Sequence, residues 1–424
     1  MESRALVADW VVPVSSAPLR DAAVVIEGTR VAWVGPFAEL PGRWHGVAVE
    51  EISGVLTPGL VNAHAHLQYS AFAALGTQRY SSFEEWSEDF EEAYLQVTDG
   101  MYWKESADLG ARAATASGTT MIGEIVTSPE ARGVLAAQGL RGIEYLEVIA
   151  QTKERWHGSA RSAFVAWLDE PTDIVRGISP HAPYSLDGAV VMDLVALAAE
   201  RGLRLHSHIA ESAIESRLYE YGDRTVLEIF GDLRNEFDLV RTGGAGHSTA
   251  EYVETLGLFG PSTHLAHGIY LDRQGRDVMR SRGAAVALCP RSNAVIGVGP
   301  APVAGYLAEG HAIAVGTDSL ASTPSLDLMA DVAELARIAY DQGYREADLP
   351  HRLIRAATLG GAAALGLAGG VIEPGAVADL AAFAVEVDQD DVEGALVEQG
   401  EGRCLLTVAQ GRTVHDRSAL TDLS

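Results

Sequence analysis

His64 and His66 stand one residue apart at the end of an apolar run, Leu56-Thr57-Pro58-Gly59-Leu60-Val61-Asn62-Ala63-His64-Ala65-His66. In a strand, side chains at i and i+2 point to the same side. Two imidazoles on one side of a strand end form a chelating pair for a divalent metal. The pair alone is equally compatible with a structural role, so its meaning depends on the rest of the chain. Comparable clusters recur in Ser179-Pro180-His181-Ala182-Pro183-Tyr184, Leu205-His206-Ser207-His208-Ile209-Ala210-Glu211, His264-Leu265-Ala266-His267 and Val315-Gly316-Thr317-Asp318-Ser319. His64, His66, His208 and Asp318 offer three imidazoles and a carboxylate, a set suited to one divalent ion, zinc first, with iron or manganese as alternatives. His267 either ligates that ion or orients a water. Glu211 lies three residues beyond His208, placed to carry protons rather than to ligate. His206 shares a side with His208 and reads as a satisfied interior histidine. His157, His247, His311 and His415 lack such context and read as solvated or structural.

These residues need a frame that brings them to one place. Strand-like runs occur at 60–66, 119–124, 141–148, 174–181, 203–209, 263–267, 284–289 and 312–317. Ala- and Leu-rich helical patterns, such as 103–117, 186–202 and 325–340, lie between most of them. Eight strands alternating with helices predict an α/β fold, a closed (β/α)8 TIM barrel, whose chemistry sits at the C-terminal strand ends. A longer connection, 230–261, separates the fifth and sixth strands. Both ends of the chain read as short strands and turns, predicting a small β-sandwich domain built from 1–55 and 370–424 around a barrel of 56–369.

Composition narrows the function classes. With 47% hydrophobic residues there is ample material for a packed interior. A formal charge of −27 argues against nucleic-acid and anionic-lipid partners, which need a basic face. Cys289 and Cys404 stand too far apart in sequence to suggest a disulfide framework or a thiolate metal site. Without a basic start followed by a long apolar run, or a membrane-length apolar window, the expected location is cytoplasmic.

These motifs resemble those of the amidohydrolase superfamily over nearly the full length. The resemblance rests on Pro58 to His66, His181-Ala182-Pro183-Tyr184-Ser185, His208-Ile209-Ala210-Glu211, Leu265-Ala266-His267-Gly268, Cys289-Pro290-Arg291-Ser292-Asn293, Gly316-Thr317-Asp318-Ser319 and the closing Ile372 to Leu380. It is similar to the branch of S-adenosylhomocysteine, methylthioadenosine, guanine and aminodeoxyfutalosine deaminases and triazine chlorohydrolases. Binuclear members bridge two metals with a carboxylated lysine. Here the only lysines, Lys104 and Lys153, end no expected strand, so one metal is expected.

The resemblance implies hydrolytic deamination. Glu211 would protonate a ring nitrogen and later the leaving amine, Asp318 would accept a proton from water, and His267 would align that water. His181 matches a position that contacts the substrate ring. The segment after the first motif resembles aminodeoxyfutalosine deaminases, which favours 6-aminodeoxyfutalosine, a nucleoside of menaquinone biosynthesis, and makes Gln68, Tyr69 and Trp86 candidate substrate contacts. Arg291 is a candidate partner for that substrate's benzoate, with Ser292 and Asn293 near a carboxylate or sugar. Glu124 and Glu147 either face the pocket or pair with arginines. Alternatives on the same site are deamination of S-adenosylhomocysteine, methylthioadenosine, adenosine or a free base, or triazine dechlorination. A homodimer is one expectation from the family.

Overall fold

The computed structural model describes residues 3–417. Strands β1 (Ser3–Val11), β2 (Leu19–Glu27), β3 (Arg30–Pro36) and β4 (Ala48–Pro58) precede the barrel. The barrel strands are β5 (Leu60–Ala65), β6 (Thr119–Val126), β7 (Arg141–Val148), β8 (Val175–Pro180), β9 (Arg204–Ile209), β10 (Thr263–His267), β11 (Ala285–Leu288) and β12 (Ile313–Val315). They form one eight-stranded sheet in sequence order, every neighbouring pair parallel. The sheet closes where Asp318, just past β12, donates its N–H to the His64 carbonyl at 3.0 Å. This is the TIM-type barrel that the alternating pattern predicts.

The chain's ends meet in a second sheet. Strands β13 (Leu380–Phe383), β14 (Cys404–Ala409) and β15 (Arg412–Asp416) return beside β4, giving the order β15-β14-β13-β4-β1-β2-β3. Leu6, Val24, Ile52, Leu380, Leu406 and Val408 from strands across this sheet share one buried cluster. The small domain expected from the two chain ends is thus built on one continuous seven-stranded mixed sheet. Gly59 couples it to the barrel. Its N–H donates to Asp379 O at 2.8 Å, and a Cβ there would lie 2.2 Å from Thr120 Oγ1, so no larger side chain fits.

Inside the barrel, polar side chains occupy a layer that apolar ones usually fill. Asn62 donates to Thr317 Oγ1 at 2.7 Å and accepts the Thr317 N–H at 3.1 Å. His264 Nε2 donates to the Ala63 carbonyl at 2.8 Å, with the Tyr145 hydroxyl 3.3 Å from its Nδ1. His206 lies in this layer, its ring stacked on His64 at 4.8 Å, as expected for an interior residue, although neither of its nitrogens has a hydrogen-bond partner. The stretch 210–262 between β9 and β10, which includes the long connection 230–261, is more helical than a plain connection. It contains helices Glu215–Tyr221, Asp238–Thr242 and Thr249–Thr255 and the 3-10 segment Thr225–Asn235.

Candidate active site

Strand alternation does the first part of the assembly. His64 and His66 leave β5 on the interior side, and His208 leaves β9 on the same side. His66 Nε2 and His208 Nε2 are 3.1 Å apart, and Asp318 Oδ1 lies 3.4 Å from His64 Nε2 and 3.6 Å from His66 Nε2. His208 Nδ1 donates to the His181 carbonyl at 2.7 Å, which fixes Nε2 as the nitrogen with a free lone pair. Burial lowers the pKa of His64 and His208 and brings that of His66 down to about 3, so all three are neutral, the form that ligates. Burial pushes the Asp318 carboxyl up, but His64, His66 and His267 outweigh it and hold it well below the usual carboxylate range. Ser292 and Ser322 donate to Asp318 Oδ2 at 2.7 and 2.9 Å, leaving Oδ1 turned to the histidines.

This cluster is short of protons. Both ring nitrogens of His64, Nδ1 of His66 and Nε2 of His267 are buried without a hydrogen-bond partner. One shared proton between His66 and His208 cannot satisfy the set. Two trios of donor atoms, His64-His66-His208 and His64-His267-Asp318, each lie within 4.8 Å of one another. Buried lone pairs facing one another without donors are the arrangement a cation satisfies. The residues present therefore fit a divalent ion of the zinc type.

A proton-handling pair adjoins it. Glu211 Oε1 is 3.5 Å from His267 Nε2. Burial raises the Glu211 carboxyl from 4.5 to about 6. His267 Nδ1 donates to Asn293 Oδ1 at 3.0 Å. Burial works against charge on His267, yet Glu211, Asp318 and Asn293 outweigh it and raise its pKa. The loop carrying Glu211 is tied down by Glu215, whose carboxylate accepts N–H bonds from Ala210, Glu211 and Ser212. Ala210, His267 and Asp318, at three strand ends, take positive φ values of 49°, 70° and 64°. Non-glycine residues held there cluster at functional sites.

Above this floor opens a cavity of about 370 Å³. Tyr69, Trp86 and His181 line it, as the sequence suggests. His181 Nδ1 pairs with Ser185 Oγ at 2.9 Å, leaving Nε2 for the cavity. Four expected substrate contacts lie elsewhere, Ser292 and Asn293 being taken up by Asp318 and His267 beneath the cavity. Arg291 is spanned by Asp331, Ser325 O and Asp327 O, with 2.8 Å to Asp331 Oδ2, and is a structural brace behind the site. Gln68 is fully buried, and its Oε1 accepts the N–H groups of Thr127 and Ser128. It orders the end of β6 rather than the cavity wall. Glu147 faces the cavity, its Oε2 accepting from Thr127 Oγ1 at 2.6 Å and its Oε1 unpartnered. Burial raises its carboxyl from 4.5 to about 7. Glu124 takes neither expected role, since its carboxylate accepts the Leu67 N–H at 3.1 Å.

Some wall residues escape the sequence reading. Helix Phe83–Leu95 lays Phe83, Trp86, Phe90 and Tyr94 along the opening, and Ile229 and Phe230 face them from the Thr225–Asn235 segment. The 3- and 4-residue spacing of those aromatics was the available signal. Trp86 Nε1 donates to Ala321 O at 2.9 Å, pinning the helix to the loop after β12.

A parallel barrel with two histidines on its first strand end, single histidines on the fifth and sixth, and an aspartate after the eighth defines a metal-dependent hydrolase of the TIM-barrel class. The chain belongs to the amidohydrolase family, whose model matches residues 55–414; a second match, to an imidazolonepropionase-like bacterial composite domain, covers 22–46. It is 28% identical over 390 residues to a 5-methylthioadenosine/S-adenosylhomocysteine deaminase of Nitratidesulfovibrio vulgaris, covering 86% of this chain and 79% of that one. It is 29% identical over 364 residues to an aminodeoxyfutalosine deaminase of Deinococcus radiodurans, covering 81% of each. An adenosine deaminase from Xanthomonas campestris, solved with bound zinc, has the same fold, with a TM-score of 0.79 at 23% identity over 99% of this chain and 96% of that one. Among the described residues no helix is long and apolar enough to cross a membrane.

Proposed function

We propose that the protein hydrolytically deaminates an aminopurine nucleoside, with His64, His66, His208 and Asp318 holding one divalent cation, zinc first. The observation that carries this reading is the buried Glu211 carboxyl, its pKa raised to about 6, beside His267 and the histidine–aspartate set. Held there, a divalent cation lowers the pKa of a water from ~16 toward ~7. Asp318, ionised at every working pH, accepts the water's proton. His267, fixed through Nδ1 by Asn293, presents Nε2 to align the attacking oxygen. Glu211 in its acid form protonates the ring nitrogen next to the attacked carbon; the proton held by Asp318 passes to the amine, which leaves as ammonia, and the new hydroxyl's proton returns to Glu211 as the carbonyl forms. Oxygen from water replaces nitrogen at that carbon, and the ring regains its conjugation. His181 Nε2 reaches the substrate ring, and the unpartnered Glu147 oxygen suits a sugar hydroxyl.

The names of the two relatives support a nucleoside substrate and leave its far end open. The sequence favours 6-aminodeoxyfutalosine, but the contact expected between Arg291 and its benzoate is lost to Asp331. The test is ammonia release from adenosine, methylthioadenosine, S-adenosylhomocysteine and 6-aminodeoxyfutalosine by metal-loaded protein, with chloride release from chlorotriazines in parallel. Ammonia from at least one nucleoside is expected. Chloride release without any ammonia would replace this reading with a dehalogenating one.

A further inference from the structure

The cavity wall carries a charge pattern that bears on what lies at the substrate's far end. The chain has 31 Lys and Arg residues, yet none of the described residues lining the cavity is one of them. The cavity's carboxyl groups are those of Glu91, Glu147, Glu211 and Asp318, and its imidazoles those of His66, His181 and His208. Aromatic side chains, Tyr69, Phe83, Trp86, Phe90, Tyr94 and Phe230, make up most of the rest of the wall, with aliphatic neighbours and the hydroxyls of Ser87, Thr127, Tyr184 and Ser319 between them. Phe90 sits at the centre of this wall, 5.0 Å from Tyr69 and 5.2 Å from Trp86 between ring centroids. Arg291, which lies within one of the site motifs, is already paired with Asp331 behind the cavity.

Resting on the deaminase reading above, we infer that the nucleoside taken by this site ends in an uncharged apolar or aromatic group, seated between the Phe83–Leu95 helix and the Thr225–Asn235 segment, and that the site rejects a carboxylate there. A carboxylate seated in this slot would give up its water for aromatic faces, with the Glu91 carboxyl on the same helix and no Lys or Arg among the lining residues to pair with it. An aryl or thioether group loses nothing on the same path. It buries apolar surface and meets ring edges and faces at stacking distance. Glu91, exposed in the second half of the helix, reinforces the exclusion by repelling an anion as it enters.

A matched pair of probes tests this: 5′-phenylthio-5′-deoxyadenosine and its para-carboxyphenyl twin, with adenosine as control. They differ in one group, so the ratio of their kcat/KM values isolates the charge. The neutral member is expected to be favoured by about 100-fold at pH 7.5, chiefly through KM, the order expected for an unpaired buried charge. In the exposed-site variant Glu91→Arg the ratio is expected to fall by about tenfold, because a cation now stands at the slot. Equal rates on the twins, or a preference for the carboxylate, would overturn the inference and leave the deaminase reading intact. Turnover of adenosine with neither twin accepted would do the same. No ammonia from any of the three would remove the deaminase reading, and the inference with it.

Discussion

The floor and the wall of the cavity are built on opposite terms. The floor is polar, and strand ends supply it: His64 and His66 from β5, His208 from β9, His267 from β10 and Asp318 after β12. Three of its side chains are held by named partners, Asp318 by Ser292, His267 by Asn293 and His208 by the His181 carbonyl. The wall is aromatic and comes from a helix and a 3-10 segment laid over the rim. Its rings touch one another through non-directional contacts, and the Trp86 bond to Ala321 O is its directional anchor to the barrel. The floor therefore suits a fixed reaction, and the wall suits a choice of substrate. Chemistry needs angstrom-level positions, which rigid strands give, whereas selection among hydrophobic groups needs only shape and area.

Substitutions should separate the two regions, and the largest effect belongs to the floor. Asp318→Asn should lower kcat by at least ~10⁴-fold while circular dichroism stays native, because the base for water is lost. Activity within tenfold of wild type would put the base elsewhere. Next, Glu211→Gln should cost ~10²–10⁴-fold in kcat and keep its metal, measured by elemental analysis. The acid form of Glu211 does the work, and its pKa is raised to about 6, so wild-type kcat/KM should fall tenfold per pH unit above that value. The variant should lack this limb. A variant that loses metal instead would make Glu211 a ligand. On the wall, Phe90→Ala should raise KM for a nucleoside with an apolar tail by about tenfold, roughly the 1.4 kcal/mol of a partly lost aromatic contact, with kcat nearly unchanged. A comparable loss in kcat would show that the wall also aligns the reacting carbon. The smallest effect belongs to Trp86→Phe, which removes the bond to Ala321 O and should cost about 1 kcal/mol in stability by thermal melting.

The same division explains what could be read from the sequence. Strand periodicity places every second side chain on one side, and barrels put chemistry at one rim, so His64, His66, His208, His267 and Asp318 follow from local pattern alone. The eight strands emerge for the same reason, since β-branched and small apolar runs alternate with long helical ones. The wall depends on how a helix lies across the rim, which no local period encodes. Phe83, Phe90 and Tyr94 look like any amphipathic stripe until the barrel is beneath them. Arg291 shows the converse. Next to a site motif it resembles a ligand contact, but Asp331, on the helix Leu328–Asp341, turns back to claim it. Gln68 is likewise spent on the backbone of Thr127 and Ser128. The supports Asn293 and Ser292 are visible as residues, yet their partners are visible only in space.

Asp318 joins the last barrel strand to the first through its N–H bond to the His64 carbonyl, and the same residue turns a carboxylate toward the histidines. The clasp of the barrel and the keystone of its reaction centre are thus one residue. A chain in the course of synthesis carries the His64–His66 pair early but brings Asp318 to it only after nearly the whole barrel has been made and closed. On the proposed ligand set, an ion held by all four residues would bind only the completed barrel and would add a second tie across its seam.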